Sequence, residues 1–157
     1  MKILSFDQAS VITGWASFED GQYIDSGVIK KSKDMPIADR VPAMAVAICK
    51  KIKEVGPDIV IIEDIQNQSS VKTVVDLARL LGGIIMYCVS KGIPTKIYHP
   101  STWRRALQFT QGKTKRDALK EQATEYIKSL GFKIESEDES EAICINLAAQ
   151  KILNTTK

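Results

Sequence analysis

Apolar and polar positions change period several times along the chain, and each change predicts an element. The opening "KILSFD" alternates Leu4 and Phe6 against Ile3, Ser5 and Asp7, and "ITGWASFE" and "GQYIDSGVIK" follow with "EDG" as a turn signal between them. Period two broken by turn residues predicts an N-terminal strand meander. Residues 37–55 switch to helical spacing, with Ile37, Val41, Met44, Ala45, Ile48 and Ile52 on one stripe and Gly56-Pro57 as the stop. "DIVIIED" is a short apolar run closed by acids, the pattern of a central strand buried on both faces. Ser69 or Ser70 can cap a long helix running to about residue 90, where Lys91-Gly92 ends it, and "IPTKIYHP" predicts a further strand. A short helical piece at 101–107 and two helices, at about 113–130 and 137–154, complete the reading.

Five strands with interleaved helices predict an α/β fold: a central five-stranded mixed sheet, antiparallel in its N-terminal meander and parallel afterwards, flanked by helices. At 157 residues and 44% hydrophobic, the chain is expected to form one domain, 1–157, with no internal repeat or linker. The longest uncharged apolar run, 80–89, falls short of the roughly 20 residues a membrane span needs. An acid at position 7 stands where a signal peptide would need its apolar core, so a cytoplasmic protein is expected. Cys49, Cys88 and Cys144 are scattered in apolar surroundings and read as reduced core thiols. His99 is the only histidine and reads as a loop residue before Pro100, which leaves no material for a His-rich metal site.

Net charge is +3, but its distribution changes the picture. Residues 77–116 hold no acid and eight cations (Arg79, Lys91, Lys96, Arg104, Arg105, Lys113, Lys115 and Arg116), so the rest of the chain nets −5. Segregation of this kind predicts an acidic site facing a basic surface, and nucleic acid is the polyanion that suits both.

The acidic part is concentrated in "ESEDESEAICINLAA", residues 135–149, with five carboxylates in its first seven positions. Helix N-termini favour acids, and Ser136 with Glu139 has the spacing of a capping box, which accounts for Glu135, Glu137 and Glu139. Stepping back by three and four from Ala142, Ile145, Ala148/Ala149 and Ile152 lands on Glu141 and Asp138, which therefore continue the inward face. A carboxylate aimed at a core needs a cation to meet it. From this helix alone, a capped, solvated start and an acidic site both remain open.

Strand ends narrow the choice. Ligands of such sheets gather beyond the carboxyl ends of the strands, where Asp7 closes the first strand and Glu63-Asp64 the buried fourth. If those strands are parallel neighbours, their acids meet, and Asp138 and Glu141 join them from the last helix. Such an oxygen-only set suits Mg²⁺ or Mn²⁺ rather than zinc, and two ions about 4 Å apart are the usual apparatus of phosphodiester hydrolysis.

Taken in order, "ILSFDQASVITGWASF…IDSGVI", "IVIIED", "HPSTWRRALQFTQGKTKRDALK" and "DESEAICINLAA" resemble the RuvC-type Holliday junction resolvases of the RNase H-like superfamily, over nearly the whole chain and most closely the divergent RuvC-like endonucleases of bacteriophages. The resemblance implies an RNase H-like fold and four metal-binding, catalytic carboxylates, Asp7, Glu63, Asp138 and Glu141. It thereby selects Glu63 over Asp64. It also implies two Mg²⁺ per active site with Mn²⁺ as substitute, a homodimer nicking symmetry-related strands of a four-way junction, and 5′-phosphate and 3′-hydroxyl products. The family's basic positions fall on Arg104 and Arg105, and on Lys115 or Arg116; with Lys113 these are the expected phosphate contacts. In the family's pattern the turn after the first acid is Asp-Pro-Gly-Ser, where this chain has Asp7-Gln8-Ala9-Ser10, and the last acid is commonly Asp, here Glu141. Gln66 stands where an aromatic often engages the junction centre, which predicts a broader taste for branched DNA, forks and flaps included.

Two rivals share the acids: an RNase H-type hydrolase of RNA–DNA hybrids, and a branched-DNA-binding module without catalysis. A sugar-kinase or actin-like protein would share the opening Asp-turn-Gly pattern but needs a second lobe that this chain does not supply. Trp103 and Phe109 are expected in the core. The helix at 70–90, apolar at Val71, Val74, Val75, Ala78, Leu81 and Ile85, is the expected dimer face.

Overall fold

Alternation in the first strand sorts the core into two layers. The computed structural model describes residues 1–66, 70–109 and 116–155, Arg116 in its backbone only. In chain order the elements are β1 (Lys2–Asp7), β2 (Ile12–Glu19), β3 (Gln22–Lys30), α1 (Ile37–Val55), β4 (Ile59–Glu63), α2 (Val71–Ser90), β5 (Thr95–Tyr98), α3 (Pro100–Ala106), α4 (Arg116–Ser129) and α5 (Glu137–Thr155). The five strands form one sheet in the order β3-β2-β1-β4-β5. β1 pairs antiparallel with β2, β2 antiparallel with β3, and β1-β4 and β4-β5 are parallel, as the mixed-sheet expectation requires.

Leu4 and Phe6 of β1 point to one face, where Val60 and Ile62 of β4 join Met44, Ile48 and Ile52 of α1 and Leu80 and Ile84 of α2. Ile3 and its neighbours Ile59 and Ile61 point to the other, against Trp103 and the helices α4 and α5. α1 stops as its Gly-Pro signal predicts: Gly56 is left-handed at φ 59° and returns its N–H to the Ile52 carbonyl. Ser70 is the residue that opens α2, although its side chain makes no cap hydrogen bond. Ser69, and positions 113–115 of the expected fourth helix, lie outside the described residues. Burial pushes the thiols of Cys88 and Cys144 up, in keeping with core cysteines, while Cys49 is only half-buried.

α5 departs from a simple amphipathic helix. Every residue from Glu139 to Asn146 is buried, because α5 lies against β1, β2 and β3 and is overlaid by α3 and α4. Its polar members are satisfied inside. Asn146 Nδ2 donates to the carbonyls of Ile3 (3.0 Å) and Ala16 (3.1 Å) and reaches Ser5 Oγ at 3.1 Å, while Ser5 Oγ lies 2.8 Å from the Ala142 carbonyl. These bonds tie α5 to β1 and β2 in one register. Close approach is made possible by Gly14, where a Cβ would lie 1.9 Å from the Asp138 carbonyl oxygen.

Candidate metal and nucleic-acid site

Phe6 and Ile62 are paired in the parallel β1-β4 ladder, and one residue further on are Asp7 and Glu63. Alternation puts Asp7 on the face of Ile3 and Glu63 on the face of Ile59 and Ile61, the side that α5 covers. Asp64 takes the other direction: its N–H bonds the Tyr98 carbonyl and its carboxylate accepts from the Ile65 N–H. Asp138 and Glu141, three apart on α5, occupy one face of its first turns.

Asp7, Asp138 and Glu141 each offer an oxygen, and these atoms lie within 4.8 Å of one another. Glu63 is outside that trio, with its Oε1 accepting the Trp103 indole N–H at 2.8 Å. It still belongs to the same field. Desolvation, then Glu141, Glu63 and Asp138, hold the Asp7 carboxyl well above the usual carboxylate range, with Lys120 opposing. An all-carboxylate donor set fits a hard divalent cation, and His99 is elsewhere, capping α3 through Nδ1. Asp7, Asp138 and Glu141, with Glu63 beside them, are the residues that would hold it.

Among the described residues, two cations lean on the acids. Arg104 Nη2 lies 2.6 Å from Glu141 Oε1, with both side chains less than a tenth exposed. The guanidinium also donates to the Leu119 carbonyl at 3.1 Å and sits 4.2 Å from the Trp103 ring. Lys120 Nζ is 3.1 Å from Asp138 Oδ1 and 3.6 Å from Glu141 Oε2. Burial works to lower the Lys120 ammonium's pKa, but Glu141 and Asp138 outweigh it and hold the group above its ordinary value.

The expected basic surface is therefore divided. Arg104, expected to contact phosphate, is instead buried and spent on Glu141, because a guanidinium with a desolvated carboxylate beside it pairs inward. Arg105 is exposed. Lys113 and Lys115 lie outside the described residues; Arg116 begins α4. Glu139 is a second difference. Ser136 Oγ accepts its N–H at 3.1 Å as a cap should, but the Glu139 carboxylate is buried and accepts from Ser26 Oγ (2.6 Å) and the Glu135 N–H (2.7 Å), pinning α5 to β3. Lys120 and the indole N–H of Trp103 escaped the sequence reading, since nothing local to either residue announces a carboxylate 18 or 40 positions away.

The family model described as "Crossover junction endodeoxyribonuclease RuvC" matches residues 3–149. A Trichlorobacter lovleyi protein of that name is 30% identical over 153 residues, 92% of this chain and 82% of the relative. One from Corynebacterium efficiens is 27% identical over 84 residues, 54% of this chain and 38% of the relative. Thermus thermophilus RuvC, solved in complex with a Holliday junction substrate, superposes with a TM-score of 0.78 at 18% identity, covering 99% of this chain and 96% of that one. The Fowlpox virus resolvase, solved with Holliday junction DNA, superposes at 0.68 and 13% identity, over 98% and 99% of the two chains. These likenesses bear out the expected RNase H-like fold.

Proposed function

This chain belongs to the RuvC family, and from that premise we propose that it is a divalent-metal-dependent endonuclease that nicks branched DNA. The observation that carries this reading is the meeting of Asp7, Asp138 and Glu141 within 4.8 Å, with Glu63 at the next strand end. Holliday junctions are its substrate class, with forks and flaps cut as well, since Gln66 follows the second acid where an aromatic would favour one junction geometry. Two Mg²⁺ ions, or Mn²⁺ in their place, would supply activation of water and charge stabilisation at the leaving oxygen, giving 5′-phosphate and 3′-hydroxyl ends.

The chain's own residues do the positioning. Asp7 and Glu63 are fixed by the β1-β4 ladder, and Asp138 and Glu141 by the bonds that lock α5 to the sheet. Trp103 orients Glu63, and Arg104 orients Glu141. Arg105, Lys113, Lys115 and Arg116 serve as phosphate contacts on the acid-free segment.

The functional unit is a homodimer joined through α2, and each copy is one nuclease domain working on DNA in the cytoplasm. By length and composition α2 could cross a membrane, but its inner residues Leu80 and Ile84 pack in the sheet's core. Its outer face shows Val71 (80% exposed), Met86 (69%) and Val89 (68%) beside Val46 of α1. An exposed apolar strip of this kind suits a two-fold interface, which would set two sites on one junction.

The test compares wild type with Glu63→Gln on labelled four-way junction, fork, linear duplex and RNA–DNA hybrid, with Mg²⁺, Mn²⁺ or EDTA. Metal-dependent nicking of branched DNA that disappears in the variant is expected. Cleavage of the hybrid alone moves the protein to RNase H-type hydrolysis, and tight junction binding without cutting under any metal leaves a binding module.

A further inference from the structure

Lys120 stands among the acids in a way that phosphate binding does not explain. Its ammonium reaches into the carboxylate cluster from α4, 3.1 Å from Asp138 and 3.6 Å from Glu141, two of the three acids whose oxygens converge. The same nitrogen is 3.9 Å from Glu137 at the rim, a carboxylate that is 59% exposed. Arg104, the other cation here, is locked by Glu141, the Leu119 carbonyl and the Trp103 ring. Among the described residues Lys120 has no such lock: it is a point charge on a flexible stem, held by one hydrogen bond to Asp138 and by the charge of its acidic neighbours, with an outward partner within reach.

We propose that Lys120 is an exchangeable counter-cation of the active site, holding the place of a divalent ion between Asp138 and Glu141 and moving outward toward Glu137 when metal binds. This rests on the metal-dependent reading above and deepens it. Like charges brought this close need neutralising before metal arrives, and Lys120 supplies a positive charge already tethered at the site. A hard divalent cation wins the exchange because it can take several carboxylate oxygens at once, whereas the ammonium only donates hydrogen bonds. The consequence is competition: metal affinity is set by how firmly Lys120 holds its position, and a neutral side chain there makes the site a tighter trap.

The experiment measures Mn²⁺ binding by electron paramagnetic resonance in wild type, Lys120→Met and Lys120→Arg, without DNA. In parallel, acylation of Lys120 in the wild-type protein is followed by mass spectrometry as Mn²⁺ is added. Lys120→Met is expected to bind Mn²⁺ about tenfold more tightly, Lys120→Arg not to gain affinity, and labelling of Lys120 to rise with metal while other lysines stay constant. Equal or weaker Mn²⁺ affinity in Lys120→Met overturns the exchange and leaves the metal-dependent reading standing. Absence of Mn²⁺ binding by wild type removes both. Should Lys120→Met fail to fold without metal, wild-type labelling decides, and protection of Lys120 that Mn²⁺ does not change overturns the proposal.

Discussion

Gly14 and Asp138 are in backbone contact: the Cα of the glycine faces the carbonyl of the aspartate so closely that a methyl group on it would stand 1.9 Å from the oxygen. Gly14 is also the partner of Asp7 in the β1-β2 ladder. One position therefore sets how near the first turn of α5 approaches Asp7. Gly14→Ala should push the helix start outward, cost about 1–3 kcal/mol as overpacking does, and reduce nicking at least tenfold. Chemical denaturation and a junction-nicking assay check the two effects; an alanine variant with wild-type activity would detach the site geometry from this contact.

Trp103 makes a separable prediction. Its fully buried ring is core, but its N–H is the donor to Glu63. Trp103→Phe keeps most of the packing and removes the bond. Loss of about 1 kcal/mol of stability is expected from the hydrogen bond, together with some cavity cost, and the activity loss should appear as a higher Mg²⁺ requirement, since Glu63 is no longer held in place. A metal titration of nicking rate in wild type and variant reads this directly.

Much of this arrangement is legible before any coordinates. Ile3, Ser5 and Asp7 alternate with Leu4 and Phe6, and that parity alone assigns Asp7 to a face. The closing acids of "IVIIED" mark the neighbouring strand, and the backward step from Ala142 finds Glu141 and Asp138. The illegible part lies in partners distant in sequence. Arg104 looks like any surface arginine in a basic segment, and only the fold sets Glu141 beside it, 37 positions on. Glu139 looks like half of a capping box, yet β3 covers it. The burial of α5 on all sides hid as well, because a helix overlaid by other helices loses the polar stripe by which periodicity is read.

The raised Asp7 pKa predicts a pH dependence for the metal-free protein. Its folded-state pKa is raised, by desolvation first and then by Glu141, Glu63 and Asp138, so the folded state holds its proton over a range where the unfolded chain has released it. Stability then falls as pH rises from the ordinary carboxylate range through the raised pKa. Metal-free protein should accordingly melt higher at mildly acidic pH than at neutral pH, within the range where other groups do not unfold it. Asp7→Asn should flatten that slope and raise the neutral-pH melting temperature while abolishing nicking. Differential scanning calorimetry in EDTA across pH checks it, and an unchanged slope in the variant would assign the pH dependence elsewhere.

The exposed strip on α2 makes the final prediction. Val75 and Met86 lie on the helix's outer side, at 40% and 69% exposure, while Leu80 and Ile84 hold the same helix to the core. Val75→Glu with Met86→Glu therefore adds charge on the solvent-facing side, where only the covered part of Val75 is lost to the monomer, so the fold should persist with a modest drop in melting temperature. An interface there would have to take both carboxylates out of water, which costs several kcal/mol. Analytical ultracentrifugation should show wild-type dimers and variant monomers at micromolar concentration. On a four-way junction the variant should give single, uncoordinated nicks in place of paired cuts, because one copy brings one set of Asp7, Glu63, Asp138 and Glu141 to the DNA. A variant that remains dimeric would move the interface to another face.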